Sequence, residues 1–142
     1  MPHIRPIAIC VFQHQDKILV FEEYDFVKEQ TFYRPLGGGI EFGETSEEAI
    51  RREMMEEMNA EVVDLKYLCA LENIFVCNGK PGHEIVMVYD GRLVNPGMYE
   101  QAEMSALETD GNPLRVLWKR LDEFSPESPL YPDGLLKMLR SR

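Results

Sequence analysis

Gly38–Ala60, GGIEFGETSEEAIRREMMEEMNA, is the stretch on which the reading of this chain turns. A glycine-rich turn opens it, Glu44 follows, and a helix-forming segment runs through Arg52-Glu53-Met54-Met55-Glu56-Glu57. At about 100° per residue, Glu53, Glu56 and Glu57 fall within an arc of roughly 100°, beside an apolar stripe of Ile50, Met54 and Met58. One flank of this helix suits a protein core; the other offers three carboxylates. Like charges three and four residues apart repel, at roughly a few tenths of a kcal/mol per pair. A divalent cation reverses that penalty, and hard oxygen ligands suit Mg²⁺ or Mn²⁺ held by a few carboxylates plus substrate phosphates.

The helix carries its own boundary marks. Thr45-Ser46-Glu47-Glu48 fits a capping box, with Thr45 as the cap and Glu48 reaching back to it. Asn59 stands where a left-handed residue ends many helices. Arg52 has Glu48 one turn before it and Glu56 one turn after, which makes it an orienting residue for the acidic face. Gly37, Gly38, Gly39 and Gly43 let backbone approach a phosphate or a metal closely.

Gly38, five residues, Glu44, seven residues, Arg52-Glu53, an apolar Met54, any residue, then Glu56-Glu57 and an apolar Ala60 resemble the Nudix box. The family pattern has Gly where this chain has Asn59, a position that supplies backbone conformation rather than chemistry. Six specified residues at fixed spacing arise by chance on the order of once in ten million starts, so an acidic composition alone does not account for them. The resemblance implies an α/β domain of the Nudix fold: a mixed sheet sandwiched between helices, with the box as a loop, helix and loop beside it. It also implies hydrolysis of a pyrophosphate bond in a nucleoside diphosphate linked to another group. On that basis Glu53, Glu56, Glu57 and the backbone of Gly38 would hold Mg²⁺ or Mn²⁺, while Glu44 and Arg52 orient them. The general base comes either from the box or from a later loop, where Glu100, Glu103 and Glu108 are candidates.

The chemistry also follows from the residues. A carboxylate cluster that binds Mg²⁺ can polarise a phosphoryl oxygen and lower the pKa of a bound water, which are the needs of pyrophosphate cleavage. Arg34, just before the glycines, is a candidate for gripping a phosphate together with Gly37, Gly38 and Gly39; a surface ion pair is its alternative role. Phe32, Tyr33, Tyr24 and Phe26 could stack a base, although aromatic residues in or beside strands more often fill a core. Two rival functions remain open. One is a non-catalytic nucleotide-sensing module; the other is an isoprenoid diphosphate isomerase, which needs Cys69 or Cys77 exposed with a lowered pKa.

Elsewhere the chain reads as scaffold. Its 142 residues suit one domain, residues 1–142, and its net charge of −10 disfavours a long nucleic acid as partner. A small anionic nucleotide is not excluded, because bound metal can invert the local field. No apolar run approaches the roughly 20 residues that cross a bilayer, and Ile7 to Phe12 is too short for a signal peptide core. Cys10, Cys69 and Cys77 lack paired metal spacing and read as free thiols in a reducing cytoplasm, Cys10 and Cys69 being buried in apolar runs. Oligomeric state stays open, a homodimer included.

Strands are expected at Ile4 to Phe12, Lys17 to Glu23, Val62 to Cys77 with a break near Glu72-Asn73, His83 to Leu93 after a turn at Asn78 to Gly82, and Leu114 to Trp118. Tyr24 to Thr31 reads as irregular. The acidic segment from Asn95 to Asn112 reads as a long loop with a short helix from about Tyr99 to Leu107. A last helix is expected from about Asp133 to Arg140, packed through Leu135, Leu136 and Leu139. His83, at a strand start, reads as a hydrogen-bonded turn residue rather than a ligand.

Overall fold

Strand β1, Arg5–His14, organises the sheet because both of its faces are buried. Ala8, Cys10 and Phe12 point into one apolar cluster, and Ile7, Ile9 and Val11 into another. Alternation along a strand sends successive side chains to opposite faces, so an unbroken apolar run demands cover on both. The computed structural model, which describes residues 2–108 and 111–142, supplies that cover with one helix per face. Helix α1, Ser46–Met58, buries Ala49, Ile50 and Met54 on the first face. Helix α2, Leu135–Arg140, buries Leu135 and Leu139 on the second.

The remaining strands are β2 (Lys17–Asp25), β3 (Gln30–Gly39), β4 (Val62–Cys77), β5 (Lys80–Leu93), β6 (Glu103–Leu107) and β7 (Pro113–Arg120). In the described residues they form a seven-stranded sheet in the order β4-β5-β1-β3-β2-β7-β6. Among these strand pairs β1–β5 is parallel and the others are antiparallel. The mixed sheet between helices expected from the sequence is therefore the observed architecture.

Several local expectations change. The glycines Gly37, Gly38 and Gly39 are not a turn but the end of β3, paired with Ile9, Ala8 and Ile7 of β1. Gly37 has φ 141°, and a Cβ there would lie 2.1 Å from the Ala8 carbonyl oxygen, so strand pairing at this point requires glycine. Tyr24 to Thr31 is half strand, the end of β2 and the start of β3, around a four-residue turn. β4 has no break at Glu72-Asn73; its irregularities fall earlier, between Val63 and Lys66 and between Tyr67 and Cys69. β5 begins at Lys80, leaving Asn78-Gly79 as the turn.

The helix expected over Tyr99 to Leu107 is absent. A single 3-10 turn at Pro96–Tyr99 precedes β6, whose pairing with β7 overrides the local preference of Glu103–Leu107. Thr109 and Asp110 of the same loop lie outside the described residues. α2 starts two residues later than expected, after Gly134 at φ 89°. Cys10 is buried, whereas Cys69 and Cys77 are only partly so, and all three are free thiols.

Candidate active site

The loop Ile40–Thr45 carries the chain from β3 into α1, and one side chain ties the three together. Thr45 is extended, at φ −76° and ψ 163°; its Oγ1 accepts from the Glu48 N–H at 3.1 Å, and Glu48 Oε1 accepts from the Thr45 N–H at 3.0 Å. Capping occupies Glu48, so the expected Glu48–Arg52 pair does not form. Arg52 turns instead to Glu44: Nε donates to Oε2 at 2.7 Å and Nη2 to Oε1 at 3.0 Å. Nη2 also donates to the Gly39 carbonyl at 2.8 Å, and Nη1 to Glu53 at 2.9 Å and Glu56 at 3.3 Å. Those contacts engage all five N–H donors of the guanidinium. Arg52 and the Glu41 N–H hold the Glu44 carboxyl below its usual range, and Glu44 in turn raises the Arg52 pKa.

Glu53 and Glu57, one turn apart on α1, meet on the wall of a cleft of about 450 Å³. Burial first, then the hydrogen bond and charge of Glu53, push the Glu57 pKa up to about 8, with Arg34 opposing and Glu108 adding to the rise. A positive charge placed beside Glu57 would oppose that rise. Gly38 lies against Glu53: a Cβ there would fall 2.6 Å from the Glu53 carboxyl carbon and 2.8 Å from both its oxygens. Glu56 stands apart, its side chain 60% exposed and tied to Arg52. Among the described residues, no three His, Cys, Asp or Glu side chains converge closely enough to cage a metal by themselves.

The three loop acids separate cleanly. Glu100 borders a different cavity beside His14 and Tyr99. Glu103, on β6, is held below its usual pKa by Arg115, which donates to it at 2.6 and 3.1 Å. Glu108 borders the cleft with Glu53 and Glu57, its backbone fixed by bonds to Asn112 and Gly111. Arg34 also borders the cleft, pairs with Glu23 and lies over the Phe21 ring at 4.5 Å.

Of the aromatic candidates, Tyr33 is buried in the core, and the exposed Tyr24 and Phe26 face each other at 5.0 Å, away from the cleft lining. Phe32 lies against Tyr131 at 5.6 Å, beside the cleft. Arg5, Asn73, Glu84 and Tyr131 also line the cleft and were not singled out in the sequence. Asn73 entered the sequence reading only through the strand break expected near Glu72-Asn73. His83 lies outside the cleft lining, and its buried Nε2 has no hydrogen-bond partner among the described residues. Burial raises the pKa values of Cys69 and Cys77, opposite to what a reactive thiolate needs.

A family model described as the NUDIX domain matches residues 1–133. The chain belongs to the NUDIX family. Human mitochondrial NAD(P)H pyrophosphatase NUDT13 is 31% identical over 109 residues, covering 76% of this chain and 29% of the human protein. The NAD-capped RNA hydrolase NudC of Citrobacter koseri is 27% identical over 124 residues, 82% of this chain and 47% of NudC. The chain thus spans less than half the length of these relatives. A MutT NUDIX hydrolase from Burkholderia pseudomallei superposes with a TM-score of 0.63 at 20% identity, over 99% of both chains. An ADP compounds hydrolase superposes at 0.62 and 21% identity, over 99% of this chain and 73% of the other. At these identities the structural likeness concerns the fold.

NUDIX hydrolases generally use divalent cations, and the donors on this cleft fit one. Glu57, its pKa raised by burial and by Glu53, and Glu53, packed against a side-chain-free Gly38, are hard oxygen ligands whose crowding a cation would relieve. One or two carboxylates, with substrate phosphates completing the shell, are a donor set that a small hard cation commonly takes.

Proposed function

We propose that this NUDIX chain is a Mg²⁺- or Mn²⁺-dependent pyrophosphohydrolase cleaving a nucleoside diphosphate linked to another moiety. The observation that carries the reading is the Glu53–Glu57 pair on the cleft, held from behind by an Arg52 whose donors are all engaged. Glu53 and Glu57, with Glu56 beside them on α1 and the backbone of Gly38, are the proposed cation ligands. Bound there, the cation would neutralise charge on the phosphoryl oxygens and acidify a water.

The chain's own residues do the rest. Arg52, clamped by Glu44, fixes the rotamer of Glu53. Arg34 offers its remaining N–H donors to a phosphate on the cleft side. Glu108 is the proposed acceptor of the proton from the attacking water, being the member of the loop trio that borders the cleft. We read residues 1–142 as this one domain, acting on small nucleotides rather than long nucleic acid because of its charge of −10. Its free thiols fit a reducing compartment such as the cytoplasm. No helix of the described residues is long and apolar enough to cross a membrane.

A panel of NAD⁺, NADH, ADP-ribose, nucleotide sugars, dinucleoside polyphosphates and nucleoside triphosphates, each with Mg²⁺ and with EDTA, tests the reading. The dinucleotides come first because the relatives' names point to NAD-type substrates. Expected is Mg²⁺-dependent release of two phosphorylated products from at least one compound. Tight binding of a panel member in Mg²⁺ without turnover would move the chain to a nucleotide-sensing role; inertness throughout would remove the hydrolase reading.

A further inference from the structure

Away from the cleft, three parts of the chain leave a groove of about 520 Å³ between them. The end of α1 and the residues after it form one wall, with Met58 and Glu61; Val94 and Met98 belong to the second, and Met104 of β6 to the third. Each wall is held by bonds of its own. Asn59, at φ 50°, closes α1, the Val94 N–H donates to the Glu61 carbonyl at 3.0 Å, and the Trp118 Nε1–H donates to the Met98 carbonyl at 3.0 Å. The groove is therefore formed before anything occupies it.

Its apolar surface is soft. Met98 is buried, Met58 and Met104 pack against the core while still lining the groove, and Val94 stands 43% exposed. An unbranched, polarisable thioether adapts to the shape of an incoming apolar group, so methionine suits surfaces that receive a helix. Polar atoms that would orient a small ligand are scarcer: the Asn95 Oδ1 on the lining already accepts from the Gly97 N–H at 3.0 Å. β6 contributes only Met104 and Ser105, too short a run of backbone to template an added strand. The charge is one-sided as well. Glu61 lines the groove, and among the described residues no ion pair reaches it. α1 has no basic residue in its last turn to offset the negative end of its dipole. Arg51 turns to the Val62 carbonyl at 2.6 Å, and Arg115 to Glu22 and Glu103. With a net charge of −10 on the chain, such a groove attracts a cationic surface.

We propose that this groove docks a cationic amphipathic helix of a partner protein, whose apolar side chains lie on Met58, Val94, Met98 and Met104 while its Lys and Arg side chains face Glu61 and the C-terminal end of α1. Apolar anchors on one helix face at spacings of three and four residues fit a groove of this kind, and the flanking cations supply orientation. The docking is independent of the hydrolase chemistry, since no residue of the groove lines the cleft.

The probe is a synthetic peptide of leucine and lysine at helical spacing, with a counterpart that carries glutamate in place of lysine. Both are titrated by calorimetry into wild type, Glu61→Lys, Val94→Lys and Glu127→Lys, with circular dichroism to verify folding. All three substituted side chains are exposed. Glu127→Lys makes the same charge change as Glu61→Lys, in the segment that packs on the other face between Phe124 and Leu130. Expected is binding of the lysine peptide alone, weakened about ten-fold by Glu61→Lys and by Val94→Lys and by less than about two-fold by Glu127→Lys. In methyl spectra the Met58, Met98 and Met104 signals move on titration, and that of Met138, on the other face, does not. No binding of the lysine peptide, equal weakening by Glu127→Lys, or wild-type affinity in Glu61→Lys and Val94→Lys overturns the proposal. Self-association of the protein alone that Val94→Lys abolishes, read by sedimentation velocity, would place a second copy in the groove and overturn it too.

Discussion

Arg52 concentrates the account at the scale of a single residue. Lysine keeps the charge but cannot make the two-pronged bond to Glu44 while also reaching Gly39 and Glu53. Arg52→Lys is expected to lower kcat/KM by roughly 10- to 100-fold, in line with losses of partners behind metal ligands; steady-state kinetics in saturating Mg²⁺ measure it, and a change under two-fold would argue against the clamp. Glu108→Gln removes the proposed proton acceptor without touching a proposed metal ligand. A loss of roughly 10²- to 10⁴-fold in kcat with Mn²⁺ affinity retained is expected, whereas full activity would return the base role to the box. Which of Glu100, Glu103 and Glu108 borders the cleft was invisible in the sequence because it depends on where β6 and β7 carry them. Glu44 and the box acids were named from the sequence because their spacing along the chain is itself the signal, and Arg34 because it stands just before the glycines.

At the scale of elements, α1 was legible to the residue because its determinants are local. Thr45 and Glu48 make the reciprocal cap, and Asn59 closes the helix at φ 50°, ψ 42°. Thr45→Ala should cost about 1 kcal/mol in a chemical-denaturation experiment. Asn59→Ala should cost roughly 1–2 kcal/mol, the left-handed penalty, whereas Asn59→Gly should not; equal stability of the two would contradict the C-cap assignment. The misread elements depend on distant partners. Gly37–Gly39 look like a turn until β1 is laid beside them, and Glu103–Leu107 become a strand only by pairing with β7.

The β2–β3 turn carries a pH dependence. Asp25 Oδ1 accepts from the N–H groups of Lys28 at 2.9 Å and Val27 at 3.0 Å, and the Lys28 bond leads the causes that lower its pKa. A carboxyl depressed in the folded state stabilises it above the unfolded-state pKa, near 3.8, and that stability is lost as pH falls through the lower folded value. Asp25→Asn should therefore lower the thermal midpoint at pH 7 and narrow its difference from wild type toward pH 3. A constant difference across that range would contradict the assignment.

For the whole molecule, β1 is the hub. One face of the sheet holds α1 and its acids, the other holds α2 and the segment that delivers Tyr131, and the cleft borders both Glu53 and Tyr131. The net charge of −10 sets what can approach. If NAD⁺ is a substrate, an NAD-capped RNA should be turned over more slowly than the free dinucleotide, with the gap narrowing as salt screens the repulsion; a capped RNA preferred at low salt would contradict this. The central claim is that the crowded acids of α1 exist to share a divalent cation with a phosphorylated ligand. Water-proton relaxation during Mn²⁺ titration, with and without ADP-ribose and in wild type and a Glu53→Gln/Glu57→Gln double variant, tests it most directly. The account predicts Mn²⁺ uptake by wild type that ADP-ribose tightens and the double variant loses. Equal uptake by both proteins, or none by wild type with or without the nucleotide, would contradict it.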